Sequence, residues 1–394
     1  MITNEQRRAR LARRHALAPG ARLDSVAELT DRLVALHSTE PATVHLAAAA
    51  RTGAGVPDVE AALYRDRSLV KQLAMRRTLF AFPPDLLPAA WGSASARVAK
   101  EQWRVIARDI EKAGVTRDGT RWLRTACDAV LERLSDGTAM TAKEIREQVP
   151  AVDGRWTYAV GKSYGGNSPL APRVLILLGA EGRIMRAENA GHWRTSRPNW
   201  IRTEHWLDEV PDRLDSRTGY AELVRAYLGA FGPATEIDIV WWFGATKAII
   251  REALADIEAV AVDLEGGLVG YVLPDDVDGV EDADEIGPWA ALLPVLDSTP
   301  MGWKQRDWYL APEDVPYLVD SNGNIGTTAW FNGRVIGAWV QDGDGVVSAV
   351  LRPGQSDEAR ELLAAEADRL TRFLDGVVIA SVYKSQVMKG IPLP

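Results

Sequence analysis

Apolar residues at Val26, Leu29, Leu33 and Leu36 recur with helical spacing, and Thr78-Leu79-Phe80-Ala81-Phe82 alternates as a half-buried strand does. Pro57 sits between them, where a helix would begin. Residues 24–82 therefore read as helices followed by strands, and the same phrase returns twice. In the second copy residues 122–134 are helical, and Thr141-Ala142-Lys143-Glu144 has the form of a capping box. A further helix covers 173–178, and strands are predicted over 182–186 and 192–197 around a turn at Asn189-Ala190-Gly191. The third copy has a helix over 220–231 stopped by Gly232-Pro233, then a short helix from Ala234-Thr235-Glu236 to Phe243-Gly244. A helix over 247–254 follows, with strands over 259–263 and 268–273 either side of Glu265-Gly266-Gly267. Two helices and a strand pair with a Gly-rich tip make a winged helix, a variant of the helix-turn-helix.

Downstream the pattern turns β-rich. Ala329-Trp330-Phe331, an Asn332-Gly333 pair suited to a type I′ turn, 334–340 and 345–351 read as strands. A helix over 356–373 precedes a last strand over 377–382. The expected fold class is α+β, with three tandem winged-helix units followed by a small C-terminal β-barrel-like domain. Its expected spans are 1–112 (with a basic N-terminal helix), 113–213, 214–285 and 286–394. A chain of 394 residues accommodates several units at roughly 150 residues each.

Composition narrows the function classes. No apolar run approaches the roughly 18 residues that would cross a bilayer, and the chain start lacks the form of a secretory signal, so a cytoplasmic location is expected. The single cysteine, Cys127, allows neither an internal disulfide nor a thiolate metal cage and reads as a buried small hydrophobe. His192 and His205 lack metal-ligand spacing, and Gly161-Lys162-Ser163-Tyr164-Gly165-Gly166 has the wrong spacing for a phosphate loop, so no metal or cofactor is expected. The net charge of −8 is unevenly spread. Seven acids (Asp275, Asp276, Asp278, Glu281, Asp282, Asp284 and Glu285) lie between 274 and 285, whereas the first 22 residues carry six arginines and one acid. A local basic face can bind phosphate whatever the total charge.

Several stretches in fixed order resemble the winged-helix DNA glycosylases of the AlkZ and YcaQ type. They are Leu33-Val34-Ala35-Leu36-His37-Ser38-Thr39 with Arg51 behind it, Arg76-Arg77-Thr78-Leu79, and the run from Gly232-Pro233-Ala234-Thr235 to Trp242. Leu293-Pro294-Val295-Leu296-Asp297 and Gly333-Arg334-Val335-Ile336-Gly337-Ala338-Trp339 complete the set. The resemblance implies a monofunctional glycosylase that hydrolyses the N-glycosidic bond of an alkylated purine in double-stranded DNA, acting as a monomer. In that family a glutamine, one intervening residue, and a second glutamine or an aspartate work on the nucleophilic water. His37 and Thr39 stand at those positions here.

Taken by itself, His37 falls at the edge of the Val26–Leu36 stripe and could be a hydrogen-bonded core histidine. Pro41 disfavours helical geometry at Glu40, so the helix is expected to end near His37, letting His37 and Thr39 point together. A neutral imidazole and a hydroxyl can then hold and deprotonate a water. The candidate DNA-facing residues are Arg7 and Arg8, Arg51, Lys71, Arg76 and Arg77 entering the first wing, Arg194 and Arg197 on the second, and Asp297. Asp297 reads equally as a structural turn, and Lys71 is the amine in the first unit that could attack a sugar carbon. The alternative function is a non-catalytic winged-helix regulator or drug-sensing protein. By analogy with relatives that protect producers of DNA-alkylating antibiotics, the His-x-Thr variant points toward bulky N7-alkylguanine adducts.

Overall fold

The computed structural model describes residues 1–158, 161, 165–277 and 286–394. The acidic run from 278 to 285 and residues 162–164 of the glycine-rich segment lie outside the described residues.

The first apolar stripe does not stay helical. Helix Val26–Arg32, capped by the Ser25 hydroxyl accepting from the Glu28 amide, ends at Leu33. Val34 takes a left-handed backbone (φ 65°), and Leu36–His37 form a short strand. That strand pairs antiparallel with Leu79–Phe82, which pairs on its other edge with Val70–Leu73. Leu33 and Leu36 are buried in the same small core beside Leu29. Burial at these positions suits a continuous helix or a helix turning into a strand, so periodicity could not separate the two.

The second unit follows the expected order more closely. Helix Gly119–Arg133 is followed by strand Met140–Thr141 and helix Ala142–Gln148, with the Thr141–Glu144 capping box formed. Helix Ala171–Ala180 then leads into strands Ile184–Asn189 and Pro198–Arg202. The last strand begins later than expected, at Pro198 rather than 192. Residues 192–197 form a loop because the Asn189 side chain satisfies it: its amide donates to the carbonyls of Gly191, His192 and Thr195, and its oxygen accepts from the Arg197 amide. A hairpin of Arg155–Tyr158 and Gly166–Pro169 is an unexpected insertion.

In the third unit helices Ser216–Phe231, Glu236–Phe243 and Lys247–Asp256 precede strands Val260–Leu264 and Leu268–Val272. One order recurs across all three units. In each, the short segment after the first helix (Leu36–His37, Met140–Thr141, or the Ala234 bridge to Tyr271) pairs with the last strand of the unit.

The C-terminal part contradicts the barrel expectation. Strands Ala290–Leu293, Thr328–Phe331, Arg334–Gln341 and Val347–Leu351 form an open antiparallel sheet in that order, and no closed barrel occurs among the described residues. Asn332 and Gly333 both have positive φ (45° and 77°), as a type I′ turn requires. Closure is unnecessary because both faces are covered. Helix Asp357–Leu374 packs Leu363, Leu370 and Leu374 on one side with Leu292, Ile336 and Trp339. Trp330, Val335 and Ala338 enter the main core on the other. The last strand predicted at 377–382 is absent. Instead the Gln341 side chain bonds the Val377 carbonyl and the Ile379 amide, standing in for a ladder.

The main core joins the N-terminal helix, the first sheet, the third unit and the C-terminal sheet. The second unit has its own core, which also takes Ala99, Ile106 and Ile110 from the long helix Ala94–Lys112. Cys127 is buried in that core, which pushes its thiol up to about 12. No helix among the described residues is long and apolar enough to cross a membrane.

Candidate active site and DNA interface

His37 lies opposite Phe80 in the first sheet, and its ring meets the Phe80 ring edge-on with centroids 5.4 Å apart. It is 5% exposed, and its Nδ1 is buried without a hydrogen-bond partner, as is the Ser38 hydroxyl. Burial, reinforced by the Arg76 guanidinium, lowers the imidazole to about 3, so His37 is uncharged across the physiological range. The Ser38 amide still pairs with the Leu79 carbonyl, but Thr39 is exposed and lines an open cleft of about 690 Å³. His37 is not part of that lining. The expectation that the two side chains share one opening gives way to a different arrangement. The imidazole is buried against Phe80, while Thr39, two residues on, stands at the cleft wall.

The cleft runs from the first sheet to the second unit. Leu73 and Leu79 form its apolar floor with Ile176, while Arg77, Arg173 and Arg186 supply cations, and Trp156 and Tyr158 supply rings. Arg173 lies 4.0 Å from the Trp156 ring centroid and is fixed there by Asp109 at 3.1 Å. Trp156 and Tyr158 stack obliquely, centroids 5.1 Å apart. Arg186 is packed 4.4 Å from the Trp200 ring centroid, and burial lowers its guanidinium to about 10. Apolar floor, stacking rings and convergent cations are what a site for a splayed-out nucleotide needs.

The remaining candidates divide into surface and interior. Arg76 and Arg77 both have left-handed backbones (φ 54° and 57°) in the turn between strands Val70–Leu73 and Leu79–Phe82, a conformation that costs of order 1–3 kcal/mol per residue. Arg76 stacks 4.1 Å from the Trp241 ring centroid, while Arg77 is exposed on the cleft wall. Arg194 and Arg197 are exposed in the loop before Pro198–Arg202, and Arg194 donates to the Val378 carbonyl. Lys71 is half-buried behind the cleft floor. Its ammonium donates to the Tyr64 hydroxyl at 2.8 Å, and burial beside Arg186 lowers it to about 7.

Arg51, Asp297 and Arg7 are buried, and Arg8 is half-buried. Arg51 and Asp297 are fully buried against each other at 2.6 and 2.9 Å. All five N–H donors of Arg51 are used: the remaining three bonds go to the His15 and Ala47 carbonyls and the Thr299 hydroxyl. The structural alternative for Asp297 is therefore the one realised, and Arg51 is its counter-ion. Arg7 is buried with its guanidinium 4.2 Å from the Trp308 ring centroid. Arg8 donates to the Trp308 carbonyl, and Arg10 and Arg14 pair with Asp276. The N-terminal helix thus uses several of its arginines as struts, the stems packing on apolar surface while the heads meet the Trp308 ring, backbone carbonyls and the Asp276 carboxylate.

Sequence reasoning missed Trp156, Tyr158, Asp109 and Arg186 as neighbours of Thr39. Only the Trp-x-Tyr alternation signalled a strand with two rings on one face, and nothing local says what that face meets. Among the described residues no group of three or more His, Cys, Asp and Glu side chains assembles as a candidate metal set.

The comparisons agree with this architecture. No curated protein matches the sequence. Among solved structures, the DNA glycosylase AlkZ of Streptomyces sahachiroi superposes with a TM-score of 0.68 over 94% of this chain and 98% of that one, at 22% sequence identity. Residues 30–373 match the family of AlkZ-like DNA glycosylases. Spanning both the first sheet with His37 and the open C-terminal sheet, that match makes the chain a member of the AlkZ-like DNA glycosylase family, and hence a hydrolase of N-glycosyl bonds.

Proposed function

We propose that this glycosylase excises N7-alkylated guanine from double-stranded DNA by direct attack of water, with His37 and Thr39 positioning that water. The observation that carries the reading is the uncharged His37 with its unpartnered Nδ1, two residues from Thr39 at the wall of a cleft lined by cations and rings. Alkylation at N7 makes the base a cation that departs without being protonated, so the protein has only to stabilise the sugar and place a nucleophile. An imidazole held down to about 3 is too weak to deprotonate water beforehand. In the DNA-bound enzyme a water drawn in past Thr39 donates to the buried Nδ1, which takes its proton as the new C–O bond forms. A cleft of about 690 Å³ is in the size range of drug-sized ligands, which favours bulky adducts such as those of genotoxic antibiotics over a lone methyl group, with self-resistance as the biological role.

We read the thrice-repeated element order as tandem winged-helix units over residues 1–112, 113–213 and 214–285, with 286–394 as the closing domain. Three such units in one chain can flank a duplex as a monomer. Membership of a glycosylase family sets the non-catalytic regulator aside. The direct test is incubation with duplexes carrying either one defined bulky N7-alkylguanine or N7-methylguanine, followed by heating in alkali. Strand breaks at the modified site only after alkali, faster with the bulky adduct, are expected; no release of either base would remove alkylguanine as the substrate class.

A further inference from the structure

A second groove, of about 610 Å³, adjoins the cleft and takes part in none of the chemistry above. Arg77, Gln102 and Val105 line both openings, so the two are continuous. One wall is the turn carrying Arg76 and Arg77, and the other is helix Ala94–Lys112, which contributes Arg97, Lys100 and Arg104. Val98, Val105 and Phe243 form its apolar base. Five cations thus face one acid, Glu101, which is already paired with Arg104 at 2.7 Å on the exposed helix surface. Arg77, Arg97 and Lys100 are exposed, and among the described residues none of them forms an ion pair.

The spacing is regular. Arg97, Lys100 and Arg104 are three and four residues apart, hence on one face of the helix. At 1.5 Å per residue they extend over about 10 Å. One strand of a duplex carries a phosphate every 3.4 Å or so of axis, so a cationic face of this length is within reach of neighbouring phosphates on one strand. The opposite wall is rigid. The Arg76–Arg77 turn is left-handed at both residues, Arg76 is pinned on Trp241, and Gly244 approaches so closely that a Cβ there would come 3.0 Å from Arg76 Cγ. The backbone that carries the exposed Arg77 is thereby held between groove and cleft.

We propose that this groove is a phosphate track: Arg97, Lys100 and Arg104 hold the backbone on one side of the target nucleotide, and Arg77 grips the phosphate at the point where the strand bends into the cleft. It rests on the reading of the cleft as the place where a nucleotide is taken up. The track reads no sequence, since phosphates carry none, and it supplies register and orientation to the strand. The ion pair between Glu101 and Arg104 is exposed and easily exchanged for a phosphate contact.

The test compares wild type with the triple variant Arg97→Gln, Lys100→Gln, Arg104→Gln and with the charge-preserving triple Arg97→Lys, Lys100→Arg, Arg104→Lys. Affinity is measured for one unmodified and one N7-methylguanine duplex between about 50 and 200 mM salt. In the glutamine variant the log-affinity against log-salt slope should become shallower by roughly 2.7, about 0.9 per lost contact, equally for both duplexes. The charge-preserving variant should keep both the wild-type slope and the wild-type single-turnover excision at saturating protein. An unchanged slope in the glutamine variant, or an equal loss in the charge-preserving one, overturns the track. A wild type that releases no base while the slopes behave as stated overturns the substrate reading and leaves the track standing. Slopes that change only with single-stranded DNA or an acidic polypeptide assign the groove to another partner and overturn it for the duplex.

Discussion

His37 and Arg51 show how differently two polar residues of one motif region can be used. Arg51 has every donor satisfied and a carboxylate in contact, whereas His37 is buried with a ring nitrogen facing no partner. A buried polar atom left unpaired costs of order 1–3 kcal/mol, a cost that persists where a substrate or water completes the bond. His37→Ala is expected to lower single-turnover excision at least about a hundredfold with nearly unchanged DNA affinity. Thr39→Ala should cost less, because a hydroxyl orients the water without receiving its proton; a larger loss for Thr39→Ala would exchange the two roles. Removing one partner of the buried pair, by Asp297→Ala or Arg51→Ala, should destabilise the fold by about 3–5 kcal/mol in denaturant titrations. The DNA salt slope of whatever remains folded should stay as in wild type, since neither group reaches the surface. Neither outcome was legible in the sequence, where Asp297 reads equally well as a turn or as a DNA-facing carboxylate. The distinction depends on what lies 246 residues away along the chain.

Among the elements, the helices and turns with local punctuation formed as read. The Thr141–Glu144 capping box, the stop after Phe231 and the Asn332-Gly333 turn each depend on residues within a few positions of one another. The errors cluster where a side chain replaced the backbone as hydrogen-bond partner. Asn189 holds residues 192–197 as a loop, and the Gln341 side chain takes the Val377 carbonyl and the Ile379 amide in place of a backbone ladder. That loop carries Arg194 and Arg197 on a short, internally bonded frame, exposed beside Ser196 at the cleft. If it grips DNA, Arg197→Ala should make the log-affinity against log-salt slope shallower by roughly 0.9. Arg194→Ala should do less, because that guanidinium already donates to Val378. Equal slopes for wild type and both variants would leave the loop without a phosphate contact.

At the level of the whole molecule, three histidines from different elements, His15, His37 and His45, are each lowered to about 3 by burial. Their folded-state values lie below the unfolded value near 6.5, so the unfolded chain binds more protons as pH falls. Stability is therefore full above about pH 6.5 and is lost on acidification, each histidine contributing up to roughly 1.4 kcal/mol per pH unit until its folded value near 3 is reached. Unfolding free energy measured from pH 7 to pH 4 should fall steeply; a flat profile would mean that the imidazoles charge inside the folded protein. Excision, by contrast, should show no inflection at pH 6–7 from His37. The sequence by itself determined the α+β class, the threefold recurrence of elements, the caps and hairpin turn, and His37 with Thr39 as the pair to watch, because all of these follow from local periodicity, short-range hydrogen bonds or motif order. Only the tertiary structure decided which arginines are struts and which face solvent, that the C-terminal sheet stays open, and that a hairpin brings rings, and helix Ala171–Ala180 brings Arg173, into the cleft beside Thr39. Burial and pairing are set by segments far apart in sequence, and an arginine's local pattern is the same whether its guanidinium ends on a tryptophan ring, a buried carboxylate or water.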